Sequence, residues 1–346
     1  MVPNPISPRK RTMKNPNFPN RPPACRIRAF LPWVGLLLGL GFLFLACVSG
    51  EPRIAPVVME HVPESPAVAE AAPFAGEPVL RVKTLNLAHG RKDGFSQALQ
   101  GRRKIMGNLD EIAAVLRRES PEIVALQEAD GPSVWSGRFN HVALLAESAG
   151  YGYSIQGAHV AGAGLSYGTA ILARHPIETP LSVTFEPSPP TFPKGFVVGT
   201  VRIPGRNSGE PDWPVDVVSV HLDFSRASVR RKQALEMVRL LSEREVPLVV
   251  MGDFNSQWSD RDSALRILAD GLGLRTWRES EAEGLETFPL TGKRLDWILI
   301  SPELEFRDYR VLPDVLSDHL GVAAAIAPKT PNRARAGATP GSDPVL

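Results

Sequence analysis

"VPLVVMGDFNSQW", residues 246–258, sets a short apolar run, Leu248 to Met251, against an abrupt polar end at Gly252-Asp253-Phe254-Asn255. Four consecutive apolar residues before a glycine read as a strand buried on both faces. Side chains alternate along an extended chain, so Asp253 and Asn255 are expected on one side and Phe254 on the core side. A carboxylate and a carboxamide are thereby presented together at the rim of a sheet.

Five further segments end or begin in the same way. "VKTLNLAHG" carries Asn86, "IVALQEAD" carries Gln127 and Glu128, and "VVSVHLD" carries His221 and Asp223. "KRLDWILI" places Asp296 in a strand-like run, and "SDHLGVAAAI" places Asp318 and His319 at the start of another. One polar residue at a strand end is most often a turn former. Six strands carrying carboxylate, carboxamide or imidazole at their rims point instead to a shared site.

The periodicity between these segments gives the fold class. Val79–Leu87 reads as a strand. Ile105, Leu109, Ile112, Ala113 and Leu116 recur at helical spacing, and Pro121 then stops that helix before the buried strand Ile123–Leu126. Gly168–Ala173, Phe196–Ile203 and Val215–His221 read as strands, several without intervening helices, which suggests antiparallel pairing. Ala234, Met237, Val238 and Leu241 mark a second amphipathic helix, and Arg294–Ile300 and His319–Ile326 close the domain with two strands. The expected architecture is α/β (α+β), two packed mixed sheets with helices outside.

The chain has 346 residues, a net charge of +2 and 43% apolar content, an ordinary globular composition. The charge is uneven. Residues 1–47 hold seven Lys/Arg and no acid, which leaves 32 basic against 37 acidic residues elsewhere. An acidic body argues against tight, sequence-independent nucleic-acid binding. Ala29 to Val48 is an uncharged apolar run behind positive charge, as in a signal peptide or membrane anchor, and both orient the following chain outward. It ends Leu45-Ala46-Cys47, similar to a bacterial lipoprotein box with Cys47 as the acylated residue. The alternative is an uncleaved N-terminal helix. Residues 1–47 are thus read as an address, 48–78, with six prolines, as a tether, 79–327 as the folded domain and 328–346 as a disordered tail. The expected location is the extracytoplasmic side of the cell envelope, anchored to the membrane. Only Cys25 and Cys47 exist, so the domain has no disulfide.

"LQE", "GDFN" and "SDH" in that order, together with "YGTAILARHPI" at 167–177, resemble the endonuclease/exonuclease/phosphatase family of metal-dependent phosphoesterases, over Val79 to about Ala327. The resemblance implies a four-layer sandwich with the site at the top of the sheets. It also implies a second histidine, His221, that binds phosphate or serves the leaving group, as in the deoxyribonuclease and sphingomyelinase branches. Ala129 and Asp130 after Glu128 place the chain away from the abasic-site endonuclease branch.

Phosphoester hydrolysis requires offset negative charge and an activated water. A hard cation, Mg²⁺ or Mn²⁺, takes oxygen ligands. Glu128 is the expected first ligand, with Asn86 as a neutral oxygen ligand or its orienter, and Asp318 completing the shell directly or through water. His319 is the expected general base, near its ordinary pKa, with Asp296 holding its other nitrogen. Asp253 orients the water or shares the base role, and Asn255 donates to the phosphate. Tyr167 is read as reaching the site or packing in its strand, and Arg230 as facing substrate or solvent. His89, His141, His159 and His175 have no matched partner and read as surface or loop residues.

The substrate is expected to be nucleic acid, a phospholipid head group or a small phosphoester, and no protein partner is read. The competing class is a catalytically silent envelope binding protein that keeps the fold.

Overall fold

Apolar residues on both faces of a strand require a covering layer on each side, and the architecture supplies it. The computed structural model describes residues 54–57, 59–61, 79–205, 211–280 and 283–329. The strands are β1 (Ile54–Pro56), β2 (Glu60–His61), β3 (Leu80–Asn86), β4 (Ile123–Asp130), β5 (Tyr153–Gly162), β6 (Leu165–Ala173) and β7 (Ile177–Thr184). They continue with β8 (Gly195–Ile203), β9 (Trp213–His221), β10 (Leu248–Asp253), β11 (Arg275–Thr276), β12 (Asp296–Ile300), β13 (Leu304–Val311) and β14 (Val322–Pro328). The described α-helices are α1 (Arg102–Glu119), α2 (His141–Ala149), α3 (Ala227–Leu241) and α4 (Ala264–Leu272).

Two seven-stranded mixed sheets form, in the orders β1-β7-β8-β9-β10-β12-β11 and β13-β14-β3-β4-β6-β5-β2. Each has a parallel pair joined through a helix, β3-α1-β4 in one and β9-α3-β10 in the other. A parallel pair needs such a crossover, and the helix covers the outer face of its sheet.

Alternation along each strand then fills three apolar layers. Val249 and Met251 of β10 lie in the core between the sheets, while Leu248 and Val250 face α3 and α4. Ile123 and Ala125 of β4 join the inter-sheet core, while Val124 and Leu126 face α1 and α2. Burying each Val, Leu or Ile contributes about 1.5–3 kcal/mol, so the apolar run of β10 specifies its place in the middle of the stack. This is the expected four-layer sandwich.

Several boundaries differ from the sequence reading. Part of the stretch read as a tether lies on the sheets: β1 pairs antiparallel with β7 and β2 with β5, and Val57 and Met59 pack against the inter-sheet core. Both are edge strands. The last strand begins at Val322 rather than His319. The chain before it bonds to the loop at Thr287 instead, Leu320 N to Thr287 O at 2.7 Å. Its far end runs to Pro328, with Lys329 N bonded to Glu303 O, so the fold continues to the start of the stretch read as a tail. No described helix is long and apolar enough to cross a membrane. The apolar run at 29–48, Cys47 and residues 330–346 lie outside the described residues.

Candidate active site

The inter-sheet apolar rows do not stop at random; each turns polar at the same end. On β9, Val215 and Val217 are followed on the same face by Ser219 and His221. On β10, Val249 and Met251 lead to Asp253, and on β12, Ile300 and Ile298 lead back to Asp296. On β3, Val82 leads to Thr84 and Asn86. The register brings Asp253 beside His221 on one side and Asp296 on the other. A middle polar layer, Thr84–Gln127 at 3.2 Å and Gln127–Ser219 at 3.1 Å, ties the two sheets just beneath. Asn86 Nδ2 of one sheet donates to Asp253 Oδ2 of the other at 3.1 Å.

Asn255 reaches the site by a different route from the expected alternation. It lies beyond β10, with φ at 48°, where Asp253 Oδ1 accepts its backbone N–H at 2.9 Å. This is an Asx turn. Its carboxamide donates to Leu222 O at 3.1 Å, leaving its second N–H for a ligand. Phe254 is fully buried, as expected.

Glu128 also departs from simple alternation. After Val124 and Leu126, which face the helices, residue 128 belongs on the helix side. A bulge between Gln127 and Ala129, with Glu128 at φ 47°, turns it out instead. An unfavourable left-handed conformation at a non-glycine residue is typical of functional positions.

Asn86, Glu128, His221, Asp253, Asn255, Asp318 and His319 line one cavity of about 680 Å³, with Arg91, Arg230, Arg261, Phe224, Phe288 and Lys293 around them. Asp296 sits behind His319, Oδ2 to Nδ1 at 2.7 Å, and is itself held by Thr287 Oγ1 at 2.6 Å. Arg230 lines the cavity, with Nη1 donating to the carbonyls of Asp223 and Phe224. Tyr167 takes the packing option: it is 4% exposed, outside the cavity lining, and meets the His89 ring edge-on at 4.7 Å. Asp223 accepts from Ser225 and Arg226 N–H ahead of α3, a turn-forming role.

The histidines divide by their surroundings. Burial, then the positive neighbours Lys194 and His319, hold His221 well below its usual pKa, so it is neutral. Burial acts the same way on His319, but Asp296 and Asp253 outweigh it and push its pKa up to about 10. The expectation was a base near its ordinary pKa; the two carboxylates instead favour the protonated form of His319. Burial raises Asp253 to about 7, against the lowering effect of His319. Asp253 Oδ2 lies 3.4 Å from His221 Nε2 and 3.8 Å from His319 Nε2.

Two residues escaped the sequence reading. His89 is buried, with Nδ1 2.6 Å from Asp130 and Nε2 3.3 Å from Glu128. Arg91 pairs with Asp318 at 2.6 Å. His141 and His159 are also buried rather than at the surface, His141 bonded to Ser136 O and His159 to Thr169 and Thr184. His175 is half-buried in the turn between β6 and β7. The one clue in sequence was the i, i+2 pair Glu128 and Asp130, whose second carboxylate had no assigned use.

One group of side chains has the spacing for a divalent cation, and a second offers the ligand chemistry. Asp253, Asp296 and His319 present ligand atoms within 4.8 Å of one another. In that group His319 Nδ1 is already engaged with Asp296. Glu128, Asn86 and Asp318 offer only oxygen, as a hard cation prefers. Among the described residues Glu128 accepts no hydrogen bond of ordinary length, with His89 at 3.3 Å and Lys194 at 4.0 Å its nearest cations. A carboxylate that lines the cavity without an ordinary hydrogen bond fits a cation.

Comparison with solved structures gives matches over the whole sandwich. An endonuclease/exonuclease/phosphatase from Beutenbergia cavernae is similar at 23% identity and TM-score 0.54, covering 73% of this chain and 72% of that one. A protein of the same family from Leptotrichia buccalis is similar at 19% identity and TM-score 0.55, over 71% of this chain and 99% of its own. A mannosyl-6-phosphatase from Bacteroides thetaiotaomicron is similar at 17% identity and TM-score 0.50, over 72% and 99%. Comparison with curated protein sequences gives no match. The sequence profile of the Endonuclease/Exonuclease/phosphatase family matches residues 84–319, which run from the polar end of β3 to the cavity histidine. With that match spanning most of the chain and every segment that carries the site, the protein belongs to the endonuclease/exonuclease/phosphatase family.

Proposed function

We propose that the protein is a metal-dependent phosphoester hydrolase acting on phosphodiesters or phosphomonoesters. The observation that carries this reading is the convergence of Asn86, Glu128, His221, Asp253, Asn255 and His319 on one cavity. A cation held by Glu128, with Asn86 and Asp318 in its shell, would polarise the phosphoryl oxygen and the leaving group. Asp253 aligns the attacking water and takes its proton, since a carboxylate with its pKa near 7 is poised for that exchange. The His319 imidazolium, held by Asp296, faces charge developing on the phosphoryl oxygens, and the remaining N–H of Asn255 adds a neutral donor. Neutral His221 binds phosphate or serves the leaving oxygen.

A cavity of about 680 Å³ suits a small phosphoester or a head group. The neighbour named as a mannosyl-6-phosphatase supports the small-phosphoester reading, and the acidic body weighs against nucleic acid. Export and membrane tethering through residues 29–48, with Cys47 acylated, belong to the same proposal and rest on the sequence pattern.

The test is turnover of a bis(aryl) phosphodiester and an aryl phosphomonoester by the full chain, with Mg²⁺, Mn²⁺ or chelator, beside His319→Ala. Cation-dependent turnover lost in the variant is expected. Cation uptake by a folded protein without turnover of either ester, nucleic acid, sphingomyelin or sugar phosphates would favour the silent binding protein.

A further inference from the structure

His89 lies three residues past Asn86 in "VKTLNLAHG", where the sequence assigned it no role, yet it touches the carboxylate proposed to hold the cation. It sits on the turn after β3 with φ at 55°, its ring packed against Trp135 and Tyr167 at 5.0 and 4.7 Å. Nδ1 lies 2.6 Å from Asp130 Oδ1, and Nε2 points the other way, 3.3 Å from Glu128 Oε2.

Asp130 is fully buried and bonded through both carboxylate oxygens. Its Oδ2 accepts from Trp135 Nε1 at 2.9 Å and from Ser136 Oγ, while Oδ1 is taken by His89. A rigid planar ring anchored at Nδ1 has its Nε2 direction set as well. Glu128, by contrast, has a flexible side chain and, among the described residues, no hydrogen bond of ordinary length. The His89 contact is the closest polar constraint on it, since Lys194 Nζ is at 4.0 Å.

We propose that His89, anchored by Asp130, is a positioning residue that holds Glu128 in the rotamer facing the cavity. This rests on the reading of Glu128 as a cation ligand. A ligand already held in its binding rotamer loses less conformational freedom on taking up the ion, and partners of metal ligands typically change affinity 10- to 100-fold when removed. The alternative role is local packing, with His89 pinning the turn after β3 to Asp130.

The two roles depend on different nitrogens. Asparagine places its amide nitrogen near the position of imidazole Nδ1, and glutamine near that of Nε2. His89→Asn keeps the Asp130 bond and loses the Glu128 contact, whereas His89→Gln keeps a donor toward Glu128. The experiment is calorimetric titration of the full-length protein with Mn²⁺ and with Mg²⁺, alongside thermal melting, for wild type, H89N, H89Q and E128Q. The expected result is affinity lowered roughly 10- to 100-fold in H89N with a near-normal melting temperature, recovered in large part by H89Q, and abolished in E128Q. Wild-type affinity in H89N, or weaker binding in H89Q than in H89N, would overturn the positioning role alone. No uptake by wild type, or undiminished uptake by E128Q, would overturn the cation reading at Glu128 and this inference with it.

Discussion

Asn86 and Asp253 are 167 residues apart in the chain and belong to different sheets, yet Nδ2 of one donates to Oδ2 of the other at 3.1 Å. The bond closes the top of the inter-sheet layer and fixes the orientation of the carboxylate beside His221 and His319. Asn86 Oδ1 also accepts from Ala88 N–H at 2.9 Å, which starts the turn carrying His89. Asn86→Ala removes both bonds and leaves Asp253 short of a donor, so a stability loss of about 1–3 kcal/mol is expected. Urea unfolding of wild type and variant measures it, with a turnover loss of roughly 10- to 100-fold expected from the disordered carboxylate.

Asp296→Asn replaces the acceptor that holds His319 Nδ1. The imidazolium loses its nearest counter-charge, and both its pKa and its orientation change. Turnover is expected to fall about 10²–10⁴-fold with substrate KM altered far less, because the effect is on charge developed in the transition state. Steady-state kinetics with an aryl phosphate ester reads the split; equal loss in KM would point to ground-state binding instead.

The pH dependence of stability follows from the two raised pKa values. His319 rises from 6.5 to about 10, so its contribution is complete below pH 6.5 and disappears as pH climbs toward 10. Asp253 rises from 3.8 to about 7, and its contribution is lost in the same direction between those values. In chelator, the denaturant midpoint of wild type is expected to fall between pH 6.5 and 10. His319→Gln removes that proton and should flatten this limb; a limb of unchanged slope would assign it to other groups.

Gly252 precedes Asp253 with φ at 149°, and a Cβ there would lie 2.0 Å from Val220 O on the neighbouring parallel strand. The approach is backbone against backbone, so no side chain can move aside. Gly252→Ala is expected to cost about 3 kcal/mol or more, by strain and by separation of β9 from β10. Thermal melting measures the cost. A melting temperature within a degree or two of wild type would show that the ladder opens without penalty.

The features legible in sequence were those encoded within a few residues. Doubly buried strands showed as apolar runs such as Leu248–Met251, and helix α1 as the 3.6 spacing of Ile105 to Leu116. The polar ends of β3, β4, β9, β10 and β12 were visible because each interrupts its own apolar run. Helices α2 and α4 were not read, being only 9 residues each, too short for periodicity to stand out. Strands β7 and β13 were missed because exposed positions break their apolar pattern, and β5 because Ser154, Gln156, Gly157 and His159 interrupt its own.

His89 marks the boundary most clearly. Its neighbours Ala88 and Gly90 say nothing of Asp130 or Glu128, which lie about 40 residues away and reach it only because β3 and β4 pair in parallel. The sequence alone determined which strands are buried and where they turn polar, because alternation and composition are local properties. The tertiary structure alone decided that His319 sits between Asp296 and Asp253, that a backbone bulge turns Glu128 into the cavity and that His89 stands behind it. Protonation, rotamer and contact depend on which charges and walls surround a side chain, and those come from segments that meet only when the sheets pack.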